Sequence, residues 1–522
     1  MSAIGKSPCD EAAIRAKPSE LPRDPKSDSW VLAAAILGSS MAFIDGTVVN
    51  VALPAIQKAF NASVIDVQWV VESYALFLCA LLLVGGSLGD LYGRRRIFAA
   101  GVGLFAAASA WCGLATGVSG LIIARAFQGV AGALLVPGSL ALISASFPAD
   151  RRGAAIGTWS GFSAVTAALG PVFGGWLVDN ISWRAAFFVN LPIAAATLVL
   201  VFLRVPESKS GDSKRLDFPG AILVTAGLCG VVYGLLQSSQ YGWRDPRVFV
   251  PFALGILGVG LFLFAEARSP SPMAPPALFR SRVFSGANAL TLFMYAALSC
   301  VFFFFPMNLI QIQGYPATAA GAASLPLIVV MFLLSRWSGG LVARYGSRLP
   351  LTVGPLIAAV GFALFARPTT GGTYWSTFFP AVTVLGLGMA ITVAPLTTTV
   401  MGAVDQQHAG IASGINNAVS RLGSLLAIAI LGIVMVSVYT RTLERQLREL
   451  PIPSAVAQSL REQAIRLAET TISPQLDSST RATVKTTIDR SFVSGFRAVM
   501  WICSGLALIS GLCAWTIIGG DR

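Results

Sequence analysis

Among the charged side chains inside long apolar stretches of this 522-residue chain, where a charge is costly and marks a candidate functional site, three open the analysis. Asp45 lies in SMAFIDGTVVNVALP, Glu72 in WVVESYALF and Arg125 in IIARAFQGVAG. Asp45 sits about fifteen residues, roughly 22 Å at 1.5 Å per residue, into its run, and Arg125 about six residues from one end of its own. The two therefore fall at comparable depth. An aspartate there can bind and release a proton, since desolvation favours the neutral acid and an arginine at the same depth favours the carboxylate. The alternative is a static Asp–Arg or Asp–backbone bond. Glu72, a few residues into its run, is a second proton or cation site, or else an interfacial side chain reaching water. Other chemistries are poorly supplied. His408 is the only histidine, and all seven cysteines except Cys9 fall in apolar runs without CxxC spacing. That argues against a metal site, a disulfide framework and histidine-based catalysis, and no cofactor is implied.

Small residues form a second pattern. Gly86 to Arg96 reads GSLGDLYGRRR, a very short connection between apolar runs. Its glycines, Gly93 among them, permit close backbone approach, Asp90 can bond free amides at a helix start, and Arg94–Arg96 anchor the loop in the cytoplasm. Leu169 to Gly175, LGPVFGG, combines Pro171, which removes a backbone donor, with Gly170, Gly174 and Gly175. A kinked, closely packed helix at an interface follows. Aromatic residues (Trp69, Tyr74, Trp159, Phe162, Tyr295 and Phe302–Phe305, with Phe303 in the run) and the amides Asn50, Gln128 and Asn417 are candidates to line a cavity for flat, lipophilic, often cationic compounds. For any single phenylalanine a lipid-facing position is an equal alternative.

The elements that position these groups are membrane helices. The chain is 55% hydrophobic and 12% charged, about half the charge of a soluble protein. Its net charge of +13 sits in short loops beside apolar runs, which fits membrane topology and not nucleic-acid binding. Runs long enough to span fall at about 31–57, 67–89, 96–115, 119–146, 153–178, 184–204, 217–237, 247–267, 284–312, 318–344, 350–367, 374–402, 408–437 and 493–518, about fourteen in all. An even count puts both termini on one side. The arginines and lysines of that side's connections (Arg94–Arg96, Arg151, Arg152, Arg204, Lys209, Arg268, Arg280, Arg344 and others) make it cytoplasmic. Gly339 to Arg348, GGLVARYGSR, repeats the opening loop about 250 residues later, with Ala343 where Asp90 stands. The expected organisation is a disordered cytoplasmic tail (1–29), a six-helix bundle (30–204), an inserted two-helix hairpin (205–270) and a second six-helix bundle (271–522). The second bundle includes a long extracellular loop at about 438–492, read as a solvated helical cap, with gating or partner contact as the alternative.

These stretches resemble a known family. GSLGDLYGRRR looks like the loop 2–3 signature of the major facilitator superfamily, and IDGTVVNVALPAI like the helix 1 signature of its fourteen-helix drug:proton antiporter branch. LIIARAFQGVAGALLVPGSLALI and ALGPVFGG are similar to that branch's helix 4 and helix 5 motifs, and SWRAAFFVNLPIA and HAGIASGINNAVSRLGSLLAIAILG to further stretches of it. The resemblance implies an all-α polytopic membrane protein, two six-helix bundles around a central cavity, alternating access, and export of lipophilic or cationic compounds against proton entry through a bacterial cytoplasmic membrane. It implies that Asp45 is the protonation site and Arg125 the residue that tunes it. Gly170 and Pro171 become the antiport hinge, and Asp90 with Arg94 the cytoplasmic latch, with Asp150 pairing to Arg94. Two departures stand out: Glu72 replaces a small polar residue, and the second half lacks an acid deep in a helix, which favours a low proton stoichiometry. An exporter of one lipid, siderophore or metabolite on the same scaffold is the nearest alternative, and a polytopic enzyme a remote one. No GxxxxGK[ST] nucleotide loop is present. Monomeric function is the expectation, with any adaptor or outer-membrane partner left open.

Overall fold

The computed structural model describes residues 25–209, 217–269, 272, 275–404, 409–473 and 476–518. Among them there is no strand, and fourteen helices are long and apolar enough to cross a membrane. The main helices of these spans are α1 (Pro25–Phe60), α2 (Val64–Tyr92), α3 (Arg94–Leu114), α4 (Val118–Ser146), α5 (Ala149–Asn180), α6 (Asn190–Arg204), α7 (Phe218–Tyr241), α8 (Pro246–Arg268), α9 (Arg282–Met307), α10 (Leu325–Gly339), α11 (Arg348–Phe365), α12 (Phe379–Gly402), α13 (Ala409–Leu447) and α14 (Ser478–Ile517); the sixth and tenth spans reach full length only with the short helices Ala185–Phe188 and Ala317–Ala322 that precede α6 and α10. Fourteen crossings return the chain to its starting side. That side is the near face below, and the opposite side the far face.

Local chemistry sets several boundaries. Ser63 and Asp66 form a reciprocal capping box at the start of α2, with the Asp66 amide donating to Ser63 Oγ over 3.2 Å and the Ser63 amide donating to Asp66 Oδ2 over 2.8 Å. Asp217 and Asp245 cap α7 and α8, each followed by a proline in the first turn, where a missing amide costs nothing. The run at 318–344, expected as one helix, is divided into Ala317–Ala322, α10 and Leu341–Tyr345. Pro326 in the first turn of α10 has no amide to carry the ladder on from Ala322, and the Ser324 hydroxyl turns back to donate to the Gly321 carbonyl over 2.9 Å. Residues 25–29, expected in the tail, begin α1; residues 1–24 lie outside the described part.

The first half packs α2 against α4, α3 against α4 and α1 against α5. The second packs α11 against α12 and α14, α9 against α13 and α14, and α10 against α12. Between the halves α2 meets α13, and α5 meets the short helix Ala317–Ala322. The α7–α8 pair forms a hairpin whose glycines (Gly227, Gly230 and Gly255) let the backbones touch. α7 lies against both α2 and α13, while α8 exposes Phe249, Leu254, Leu257 and Leu261, the face of a helix bathed in lipid.

The long connection read as a helical cap is mostly helix, part of it a continuation of the flanking membrane helices. α13 and α14 run 39 and 40 residues, well beyond a bilayer crossing, and Ser454–Glu462 and Ala464–Glu469 close the gap at the far face. This cap has its own buried seam of Leu443, Leu460, Leu467, Val484 and Ile488, and the Tyr439 hydroxyl donates to the Leu467 carbonyl over 2.9 Å.

Candidate proton and substrate sites

Asp45, on α1, is fully buried at the centre of the first half. Four helices converge on it. Arg125 Nη1 on α4 donates to its Oδ2 over 2.5 Å, and Gln128 Nε2, one turn further along α4, donates to Oδ1 over 2.8 Å. Gln128 also donates to Ser109 Oγ of α3 over 2.9 Å and accepts from Arg125 Nη1 over 2.7 Å. Asn190, at the start of α6, donates to Ser109 Oγ over 3.2 Å and more distantly, over 3.5 Å, to Asp45 Oδ1. Arg125 is held from two further directions: its Nε donates to the Val70 carbonyl over 3.0 Å, and its guanidinium lies 4.2 Å from the Tyr74 ring centre. Such a cation–π contact stabilises a desolvated guanidinium. The pair is compensated in charge and in hydrogen bonds, which is what makes a buried ion pair tolerable. One partner remains unused, because Asn190 Oδ1 is buried without a hydrogen bond.

Glu72 belongs to a different place. It borders a cavity of about 280 Å³ between the halves, lined from α1 by Asn50, from α5 by Pro171, and from the second half by Tyr295, Phe302, Phe305 and Ser424, among others. Glu72 is the one charged side chain among the lining residues. It is fully buried, and neither of its carboxyl oxygens has a hydrogen-bond partner.

At the near face Arg94 donates to Asp90 Oδ1 from Nε over 2.9 Å and from Nη2 over 2.8 Å. The adjoining arginines turn to Glu207, beyond α6. Its Oε1 accepts the Arg95 amide over 3.0 Å, and its Oε2 lies 3.6 Å from Arg96 Nε. Gly93 turns here with φ of +113°, and a Cβ on it would strike Glu207. The Asp150 side chain, expected to pair with Arg94, lies outside the described part. At the far face α5 is pressed between two neighbours. A Cβ on Gly170 or Gly174 would run into Thr47 or Val48 of α1, and one on Gly175 would meet the Ala317 carbonyl of the other half. One turn on, Asp179 accepts the Ala317 amide over 3.0 Å, the Thr318 amide over 2.8 Å and the Thr318 hydroxyl over 2.6 Å.

The family model "Major Facilitator Superfamily" matches residues 35–428. The chain belongs to the Major Facilitator Superfamily. Similar members are the multidrug resistance protein Stp of Mycobacterium tuberculosis, 35% identical over 81% of this chain and 79% of that protein; the tetracenomycin C resistance and export protein of Streptomyces glaucescens, 31% identical over 92% and 90%; and a puromycin resistance protein of Streptomyces alboniger, 34% identical over 78% and 81%. Among solved structures, an inward-facing bacterial homolog of the human lysosomal transporter Spinster aligns with TM-score 0.63 over 94% of this chain and 98% of that one at 17% identity, a likeness of fold.

Within this facilitator fold the expected cavity residues divide. Asn50 and Tyr295 line the interbundle cavity. Tyr74 and Gln128 belong to the Asp45 network. Trp159 is buried inside the first half, its Nε1 donating to Ser39 Oγ over 2.9 Å, while Phe162 on the same helix is exposed. Trp69 packs against Tyr233 of the hairpin, with ring centres 6.2 Å apart. Phe303 is buried edge-on to Phe304, and its neighbours Phe302 and Phe305 take the cavity positions. Asn417 accepts from Arg421 Nε over 3.0 Å. Arg421 is the residue the sequence reading passed over: it too is a charge inside an apolar run, in SRLGSLLAIAIL, and the criterion that found Asp45 would have found it. Ser109, Asn190, Asp179 and Glu207 carried no comparable signal, because uncharged polar residues, and acids at helix ends or in loops, are common.

Proposed function

We propose that this chain is a proton-driven exporter of lipophilic small molecules, working by alternating access. Both termini and the arginine-rich near face lie in the cytoplasm, the far face outside. The observation that carries the reading is the buried Asp45–Arg125 pair with its ring of exchangeable partners: Gln128, Ser109 and Asn190 can take over either member's bonds when Asp45 gains a proton. Protonation from outside would loosen Arg125 and deprotonation toward the cytoplasm would recapture it. α1 and α4 thereby link proton occupancy to the packing of α1 on α5 and of α5 on the second half. The names of the relatives, which include multidrug, tetracenomycin C and puromycin resistance, support small-molecule export as the task. Two of those names specify single compounds, which favours as second reading an exporter of one metabolite on this scaffold. In either case we take residues 30–204 and 271–522 as the moving halves, 205–270 as an inserted hairpin, and the monomer as the working unit.

Proton release from acid-loaded everted vesicles, on adding a panel of lipophilic dyes and antibiotics, tests this. Release that depends on the compound and is lost in Asp45→Asn is expected. Unchanged release in that variant would overturn the assignment of Asp45, and a response to one compound alone would select the narrower exporter.

A further inference from the structure

The Asp45 network and the interbundle cavity hold separate acids, and the second is unaccounted for by the first. Glu72 cannot reach the bonds that satisfy Asp45, which is closed on itself within the first half. It stands instead among Asn50, Pro171, Tyr295, Phe302 and Phe305, in a wall of mainly apolar and aromatic surface shared by both halves. A carboxylate left unpaired in such surroundings is strongly disfavoured, so the group carries either a proton or a cationic partner. Among the described residues the cavity lining holds no arginine or lysine, and the cations on the helices packed around α2 are bonded to groups other than Glu72. On α1, Asp45 faces Arg125 of α4; on α13, Arg421 is bonded to Asn417; on α7 and α9 the titratable neighbours are Tyr233, Tyr295 and Cys300. Arg466 of the cap is bonded to Asn61, and its neighbour Glu469 is an acid. Among the described residues no ion pair involves Glu72.

We propose that Glu72 is the charge-recognition group of the substrate cavity, and that its ligand class is the lipophilic monocation, flanked by the Tyr295, Phe302 and Phe305 rings. The cation takes the place of the Glu72 proton, and the displaced proton leaves to water on whichever side the cavity is open. One acid and no base in the lining match one positive charge, so dications and anions are rejected. The aromatic walls add cation–π attraction and tolerate different shapes. The proposal rests on the reading of the chain as an exporter, but it is independent of Asp45.

The test uses the purified full-length protein in detergent, with tetraphenylphosphonium as probe and tetraphenylborate as its anionic match in shape. Wild type is expected to bind the phosphonium with release of about one proton per cation into weakly buffered solution, and to bind the borate at least about tenfold more weakly. Glu72→Gln, equal in size and uncharged, is expected to lose at least about tenfold in phosphonium affinity and to release no proton, while Glu72→Asp retains both. Thermal unfolding of Glu72→Gln at the wild-type temperature establishes that the loss is not misfolding; should it fold poorly, the Glu72→Asp result and the phosphonium–borate contrast in wild type carry the decision. Equal phosphonium binding in wild type and Glu72→Gln overturns the proposal, as does binding without proton release, or equal affinity for the two ions. Proton-driven export of other compounds that survives in Glu72→Gln would leave the exporter reading intact. Phosphonium binding with no proton-coupled transport of anything would sink that reading and leave Glu72 in place.

Discussion

Asp45 and Arg125 stabilise the first half only as a pair. Either one alone would be a buried charge with hydrogen-bonding groups aimed at an absent partner, a loss of about 3–5 kcal/mol. Replacing both by apolar residues of similar volume removes that penalty. Arg125→Met is therefore expected to lower the unfolding temperature markedly, and Asp45→Leu with Arg125→Met to recover much of the loss while staying inactive in transport. A thermal-unfolding double-mutant cycle measures this; additive losses would mean that the two side chains are not coupled. The pair itself was readable from two charges at similar depth in apolar runs. Its setting was not. Nothing in the spelling of α3 and α6 distinguishes Ser109 and Asn190 from other polar residues, because what recruits them is the convergence of four helices. The same holds for the aromatic residues: their composition announces a greasy cavity, yet Phe302 and Phe305 reach it and Phe303 between them does not, since successive helical positions turn by about 100°.

At the scale of elements, the helices and their number follow from apolar run length, and the deviations sit where a local rule competes with it. Pro326 divides the run at 318–344, and the charged stretch read as a solvated helical cap is partly buried because its leucines and valines join the core. That cap carries a pH dependence. Burial raises the Glu469 carboxyl above the ordinary carboxylate value, against the smaller opposing pull of Lys58 and Lys485. The folded cap thus holds this proton more tightly than the unfolded chain does. Its contribution to stability is present below the ordinary carboxylate value and is lost as pH rises through the raised one. Hydrogen exchange of the Leu467 amide region, corrected for intrinsic rates, is expected to show more protection near about pH 4 than near about pH 7. Glu469→Gln should flatten that dependence; a variant that kept the full dependence would assign it to another group.

On the scale of the molecule, the decisive contacts are those that must break for the halves to part at the far face. Among the described residues they are few and polar at their edge: Asp179 with Ala317 and Thr318, Gln311 Nε2 donating to Gln57 Oε1 over 2.9 Å, Gln57 Nε2 donating to the Arg466 carbonyl over 3.0 Å, and Arg466 Nη1 donating to Asn61 Oδ1 over 2.6 Å. Behind them, Gly175 and Gly321 hold α5 and the Ala317–Ala322 helix in backbone contact, with Pro171 at the crossing. Among the described residues this interface buries no charge pair that would have to be pulled apart, which suits a surface that opens and closes. The near-face ties join Asp90 to Arg94 within the first half and Arg95 and Arg96 to Glu207 at the start of the inserted segment; none of them reaches the second half, so they leave the far-face contacts to hold the two halves together. If rocking about the central cavity is the mechanism, a covalent tie across the far face must stop it. Asp179→Cys with Thr318→Cys, in a background where the native cysteines are replaced, brings two thiols to positions already within hydrogen-bond reach. Oxidation is expected to reduce transport by at least about tenfold and reductant to restore it, while each single cysteine variant is unaffected by oxidant. Transport that continues through the cross-linked protein would mean that substrate leaves without parting α5 from the second half, and alternating access would have to be sought in other helices.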